Sequence, residues 1–105
     1  MVDVFFNPAQ QQYGTWLQRP GRPYLAVGNT GNLYTDLGQA CGFIRAILKF
    51  ECGNTGLIVA NNPGPWTFTQ TCSDALKGVQ ALFGLPQTGR PDTATWNALD
   101  TTYYF

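Results

Sequence analysis

The sequence predicts a mainly helical, compact domain of three helices, with an extended N-terminal arm before it and an aromatic C-terminal tail after it. Apolar residues recur at helical spacing in two long stretches, and a shorter third stretch starts at a residue that caps helices well. A chain of 105 residues is long enough for one domain with a modest core. We expect residues 1–24 to form the arm and residues 25–105 the helical domain.

The first predicted helix runs from Leu33 to about Phe50, with Asp36 near its start and Cys52-Gly53 after its end. The apolar stripe that predicts it consists of Leu37, Cys41, Ile44 and Leu48. Glycines within this stretch lower the helix propensity, or else they mark the close approach of another element. The glycines concerned are Gly38 and Gly42.

The second predicted helix spans about Thr71–Phe83, and the third runs from Asp92 to about Asp100. The stripe of the second helix consists of Cys72, Leu76, Val79 and Phe83. Gly84 follows at the position where a helix end favours a residue that tolerates positive φ. Asp92 is a good N-cap for the third helix, whose Trp96 and Leu99 lie three residues apart on one face.

The segments outside the helices contain most of the prolines. In the arm, Asn7-Pro8 and Arg19–Pro23 oppose long regular structure. Between the first two helices, Gly56–Ala60 is either a short strand or a buried extended loop, and Asn61–Pro65 is a loop. Aromatic residues mark both ends of the chain: Phe5, Phe6, Tyr13 and Trp16 in the arm, and Tyr103, Tyr104 and Phe105 in the tail.

Charged residues make up only 11% of the chain, whereas about 25% is usual. The surface is therefore built largely from uncharged polar residues, which suit contacts with sugars or with other proteins. The formal net charge is zero, so neutralisation of a nucleic-acid backbone is not expected. The first residues do not read as a secretory signal and no stretch would span a membrane, so we expect a protein made and assembled in the cytoplasm, or released by lysis.

Catalytic and metal-binding patterns are not apparent in the sequence. The chain has no histidine, which removes Ser-His and Cys-His pairs and His-rich zinc sites. Glu51 is the only glutamate and Ser73 the only serine, and both fall at predicted helix ends. The three cysteines have no metal-ligand spacing and are expected to be small buried residues, although one disulfide among them stays open. We expect a protein that is not an enzyme and uses no cofactor.

The run Leu82–Leu99 belongs to a longer motif that has two halves, of which the second is the more specific. In its second half the motif consists of Phe68, Ala75, Leu76, Gln80, Gly84, Leu85, Pro86, Thr88, Gly89, Asp92, Thr95, Trp96 and Leu99. A weaker first half consists of Leu25, Val27, Gly28, Gly31, Tyr34 and Leu37. Over residues 25–99 the chain resembles the peptidoglycan-binding domain family, small three-helix modules usually attached to bacterial and phage cell-wall hydrolases.

The resemblance implies a wall-binding fold, but two departures affect the ligand. Pro65-Trp66 stand where the family has Asp-Gly, and the connection that carries Leu57-Ile58-Val59 is longer. Altered loops are where binding specificity changes. The candidate ligand-binding residues are Trp66, Arg90 and Asn97. For Trp66 the alternatives are stacking on a sugar ring or burial in the core, and for the other two a solvated role is the alternative.

Two functions fit these observations. The first is a structural protein of an assembled particle, specifically a bacteriophage virion component such as a capsid decoration, minor capsid or tail protein. Its candidate partner-binding residues are the seven terminal aromatics, which would dock on neighbouring phage subunits. The second is a stand-alone module of a lytic system that binds peptidoglycan, located at the bacterial cell wall or outside the cell. Neither function involves nucleic acid or a membrane as partner.

Overall fold

The computed structural model describes residues 21–32, 34–54, 56–57 and 65–104, with residues 50, 103 and 104 described by their backbone alone. In chain order the described elements are β1 (Thr30–Gly31), α1 (Asp36–Ala46), a π-helical turn that continues α1 (Ile47–Glu51), β2 (Trp66–Thr67), α2 (Gln70–Leu82) and α3 (Thr93–Tyr104). The predicted mainly helical fold is confirmed. Outside the described residues lie the predicted anchors Phe5, Phe6, Tyr13, Trp16 and Phe105.

Side-chain caps set the starts of the three helices. Thr35 Oγ1 accepts a hydrogen bond from the amide of Gly38 at 3.0 Å, so α1 begins at Asp36. The Thr69 side chain accepts from the amide of Cys72 and caps α2. The predicted cap of α3 is confirmed, because Asp92 Oδ1 accepts from the amide and the hydroxyl of Thr95.

Helix α1 lies at the centre of the described domain. Its residues from Ala40 to Ala46 are all buried, as expected for a helix covered on all sides. The antiparallel pair β1–β2 packs against it, in the register Thr30 to Thr67 and Gly31 to Trp66. A Cβ on Gly42 would overlap the indole ring of Trp66, and one on Gly38 would overlap the backbone of Asn32. Close approach of another element, one of the two alternatives for these glycines, is therefore what the structure contains.

The core joins α1 to β2, α2 and α3. Its largest fully buried side chains are Trp66, Trp96, Phe43, Phe68, Leu25, Ile44, Ile47, Leu48, Leu76 and Leu99. The predicted stripe of α1 is buried at Cys41, Ile44 and Leu48, whereas Leu37 is exposed because the first turn of α1 lies at the surface. The strand pair is too short to leave a pattern of alternating residues and was not predicted.

The turn after α2 and the end of α3 complete the fold. Gly84 has φ +72° as predicted, and the amide of Leu85 returns to the carbonyl of Gln80 at 2.9 Å, which closes the end of α2. Helix α3 continues about one turn past its predicted end, because no glycine or proline interrupts the chain between Asp100 and Tyr104. None of the described helices combines the length and apolar character needed to cross a membrane.

Candidate ligand-binding site

The described end of the predicted arm lies along α3. Arg22 Nη1 forms an ion pair with Asp100 Oδ2 at 2.7 Å, and the two side chains are only 4% and 0% exposed. The Arg22 guanidinium also lies over the ring of Trp96, 5.1 Å from its centroid, while Trp96 Nε1 donates to the carbonyl of Pro23 at 3.1 Å. These contacts fix residues 22–23 on the helix at Trp96 and Asp100, which lie about one turn apart.

Arg90 holds the next two residues of this segment. Its Nη2 donates to the carbonyl of Tyr24 at 2.9 Å, and its Nε donates to the carbonyl of Leu25 at 2.8 Å. The guanidinium also stacks on the Tyr24 ring, 3.7 Å from the centroid. Tyr24 is 49% exposed, so the pair forms part of the surface. Arg90 thus orients backbone and aromatic ring together.

Asn97 lies on the same side of the domain as Arg90, since it also contacts the segment 22–25. It is exposed, and its Oδ1 accepts a hydrogen bond from Arg22 Nη2 at 3.2 Å. Two of the three candidate ligand-binding residues, Arg90 and Asn97, are therefore brought to one face by residues 22–25. We call this surface the Tyr24 face and define it by Arg22, Tyr24, Arg90 and Asn97.

The third candidate, Trp66, does not belong to the Tyr24 face. It is 1% exposed, with its ring against Gly42 and its carbonyl accepting from Thr30 Oγ1 at 3.0 Å. An indole held in this way has no open surface on which a sugar ring could stack. Packing in the core, one of the two alternatives for Trp66, accounts for its position.

A buried amide supports the loop that carries Arg90. Gln80 is 0% exposed, and its Oε1 accepts from the amide of Gly89 at 2.9 Å. Its Nε2 lies within hydrogen-bond distance of the Arg90 carbonyl, at 3.0 Å, and of the hydroxyls of Thr88 and Thr95. Sequence reasoning assigned Gln80 no role beyond the motif. The sequence signal for this role is the position of Gln80 itself, which follows Val79 at the edge of the apolar stripe of α2.

A cavity that is separate from the Tyr24 face lies at the start of α2. This cavity of about 190 Å³ is lined by Arg45, Gly56, Leu57, Thr69 and Thr71. Arg45 is 8% exposed and its Nη1 donates to the carbonyl of Thr67 at 2.9 Å. A guanidinium and two threonines give this cavity a positive, hydrogen-bonding wall that suits a small polar group.

Two side chains with potential chemistry, Ser73 and Asp92, serve structural roles. The Ser73 hydroxyl is buried and donates to the carbonyl of Gly89 at 2.9 Å, and Asp92 caps α3. Cys41 and Cys72 are buried thiols within the core, and burial raises the pKa of Cys41 to about 11. Across the described residues no three His, Cys, Asp or Glu side chains cluster in a way that could hold a metal ion.

One segment of the chain matches a known protein family. Residues 67–99 match the family model described as a putative peptidoglycan binding domain. This range contains Arg90, Asn97 and the Gln80 network. Neither the curated proteins nor the solved structures include a match to the chain. The resemblance predicted from the sequence is therefore confirmed over residues 67–99, the segment from β2 to α3, which is similar to the peptidoglycan-binding domain family.

Proposed function

We propose that this protein is a non-catalytic module that binds peptidoglycan. The observation that carries the proposal is the family match over residues 67–99, since that family is one of binding domains. The Tyr24 face supports it, because it offers an exposed aromatic ring and an exposed amide on a segment fixed by hydrogen bonds. Such a surface suits a neutral, hydroxyl-rich ligand. On this proposal the protein acts at the bacterial cell wall.

Cosedimentation with purified peptidoglycan sacculi tests this function. We expect the wild-type chain to pellet with sacculi at low and at moderate salt, because few charges are available to drive the contact. Arg90→Ala should be retained less well, since it frees Tyr24 and the carbonyl of Leu25. Lys77→Ala, a change at an exposed cation of α2, is the matched control and should pellet like wild type. Failure of the wild type to pellet at low salt would reject the function.

The absence of catalysis has its own test. A turbid suspension of cell walls should keep its turbidity when the protein is added, because binding alone cuts no bond. Clearing of the suspension would show that the protein hydrolyses the wall and would contradict the non-catalytic part of the proposal.

A second candidate function is a subunit of a bacteriophage virion, as a capsid decoration, minor capsid or tail protein assembled in the host cytoplasm. The supporting observation is the ion pair of Arg22 with Asp100. Because of this pair, the chain enters the described domain beside α3, the helix whose last two residues are Tyr103 and Tyr104. On this second candidate function, the aromatic residues of the arm and of the tail would dock on neighbouring subunits.

Co-purification tests the virion function. The chain should be found in particles purified from a lysate and should stay with them through a density gradient. A chain that is recovered only as a monomer and never with particles would contradict this function. The two functions are compatible, since a particle protein could also touch the wall of its host.

A further inference from the structure

We propose that the outer face of the Tyr24 ring is a stacking platform for a pyranose ring of the glycan strand. This inference rests on the proposed peptidoglycan function and names the part of the polymer that the Tyr24 face contacts. Arg90 covers one face of the ring, with its guanidinium 3.7 Å from the ring centroid. Since Tyr24 is nevertheless 49% exposed, the open area belongs to the opposite face and the outer edge.

The ring is held in place before any ligand arrives. The carbonyls of Pro23, Tyr24 and Leu25 each accept a hydrogen bond from α3 or from the loop before it. The side chain of the following Leu25 is fully buried in the core. A platform fixed on both sides loses little conformational entropy on binding, which is the usual advantage of a preorganised site.

The chemistry of the face favours a sugar over a charged peptide. The flat apolar face of a tyrosine packs against the C–H groups of a pyranose ring, and its phenol oxygen bonds hydroxyls at the edge. Asn97, exposed on the same side of the domain, adds an uncharged hydrogen-bonding group. The Arg90 guanidinium lies beneath the ring and spends two of its nitrogens on backbone carbonyls, so it is poorly placed to meet a peptide carboxylate.

A second exposed tyrosine provides a matched control. Tyr34 is 76% exposed in the turn before α1, and its amide donates to Asn32 Oδ1 at 3.0 Å. Among the described contacts no guanidinium stacks on the Tyr34 ring. Tyr34→Ala therefore removes an equal ring from the surface without touching the Tyr24 face.

The test measures binding of chitotetraose, a soluble glycan without peptide, by isothermal titration calorimetry. Tyr24→Ala should weaken binding by about tenfold, the effect of one lost ring contact, whereas Tyr24→Phe keeps the ring, loses only the hydrogen bond of the phenol oxygen and should be weakened less than Tyr24→Ala. Tyr34→Ala should bind like wild type. Circular dichroism melting of each variant shows that it is folded. Equal binding by Tyr24→Ala and wild type, or an equal loss in Tyr34→Ala, overturns the platform.

Sacculi separate this inference from the function on which it rests. A wild-type chain that pellets with sacculi but does not bind chitotetraose overturns the platform and leaves peptidoglycan binding in place through another part of the polymer. A wild-type chain that binds neither overturns both. A wild-type chain that binds both sacculi and chitotetraose, together with a Tyr24→Ala variant in which the binding of chitotetraose is selectively weakened, supports both.

Discussion

Gly42 of α1 lies directly against the indole ring of Trp66, so close that a Cβ at this position would overlap the ring. A helix interior normally disfavours glycine by roughly 0.5–1 kcal/mol relative to alanine. Here the missing side chain lets β2 approach the central helix and lets Trp66 fill the core. The same contact explains why the tryptophan of the altered loop is unavailable to a ligand.

Two glycine-to-alanine substitutions should therefore have opposite signs. Gly42→Ala should lower the free energy of unfolding by about 1–3 kcal/mol, because it overpacks the core against Trp66. Gly78→Ala, in the exposed interior of α2 where a Cβ meets nothing within 4 Å, should raise it by about 0.5–1 kcal/mol. Urea unfolding of both variants measures the difference. Equal effects of the same sign would show that Gly42 is not a packing position.

The ion pair of Arg22 with Asp100 should contribute strongly to stability. Arg22→Met removes the cation 2.7 Å from a carboxylate that is 0% exposed, and we expect a loss of about 3 kcal/mol in the free energy of unfolding. Lys77→Met, at an exposed cation of α2, should change it by less than about 0.5 kcal/mol. Chemical denaturation measures both. An Arg22→Met loss no greater than that of the control would mean that residues 21–24 do not belong to the folded unit.

The buried Gln80 should be needed for the loop that carries Arg90. Gln80→Leu leaves the amide of Gly89 without this acceptor and removes the donor to the carbonyl of Arg90, so we expect a loss of about 2 kcal/mol or more. Gln70→Leu, at the exposed start of the same helix, is the control. It should change the free energy of unfolding by only a few tenths of the loss expected for Gln80→Leu. Thermal melts compare the two variants. Matching melting temperatures would exclude Gln80 as the support of this loop.

The Cys41 thiol predicts a pH dependence of stability. Burial raises its pKa from 9.0 to about 11, so the folded state keeps the proton where the unfolded state releases it. The stability from this group is complete below pH 9.0 and is lost as the pH rises towards about 11. Between about pH 8 and about pH 10 the free energy of unfolding of the wild type should fall by about 1 kcal/mol more than that of Cys41→Ala. Parallel curves for the two proteins would contradict a raised pKa.

The parts of the fold that follow from local rules could be predicted from the sequence. Asp92 caps α3, Gly84 takes positive φ, and Trp96 is buried with Leu99, because each depends on residues only a few positions away. The pairing of β1 with β2 could not be predicted, since it joins two-residue strands far apart in the sequence.

The candidate site shows the same division. Arg90 and Asn97 are candidates from the sequence because they lie near the last turn and the last helix with side chains that can donate hydrogen bonds, and both lie on the Tyr24 face. Tyr24 itself was missed, because its position depends on Arg90, 66 residues further along the chain. Trp66 was ambiguous for a physical reason: a large aromatic residue in a loop serves equally well as a core anchor or as a sugar platform, and only the gap left by Gly42 decides between them.

Binding of peptidoglycan through the family segment is tested most directly by a titration of isotopically labelled protein with soluble peptidoglycan fragments, followed by two-dimensional NMR of the backbone amides. Saturable shifts should concentrate in residues 22–25 and 88–97, which carry the Tyr24 face, while the amide signals of exposed residues elsewhere, such as Leu82 at the end of α2, should not shift. Spectra that do not change at any fragment concentration, or shifts confined to residues outside the segment 67–99 and its contacts, would contradict peptidoglycan binding by this surface.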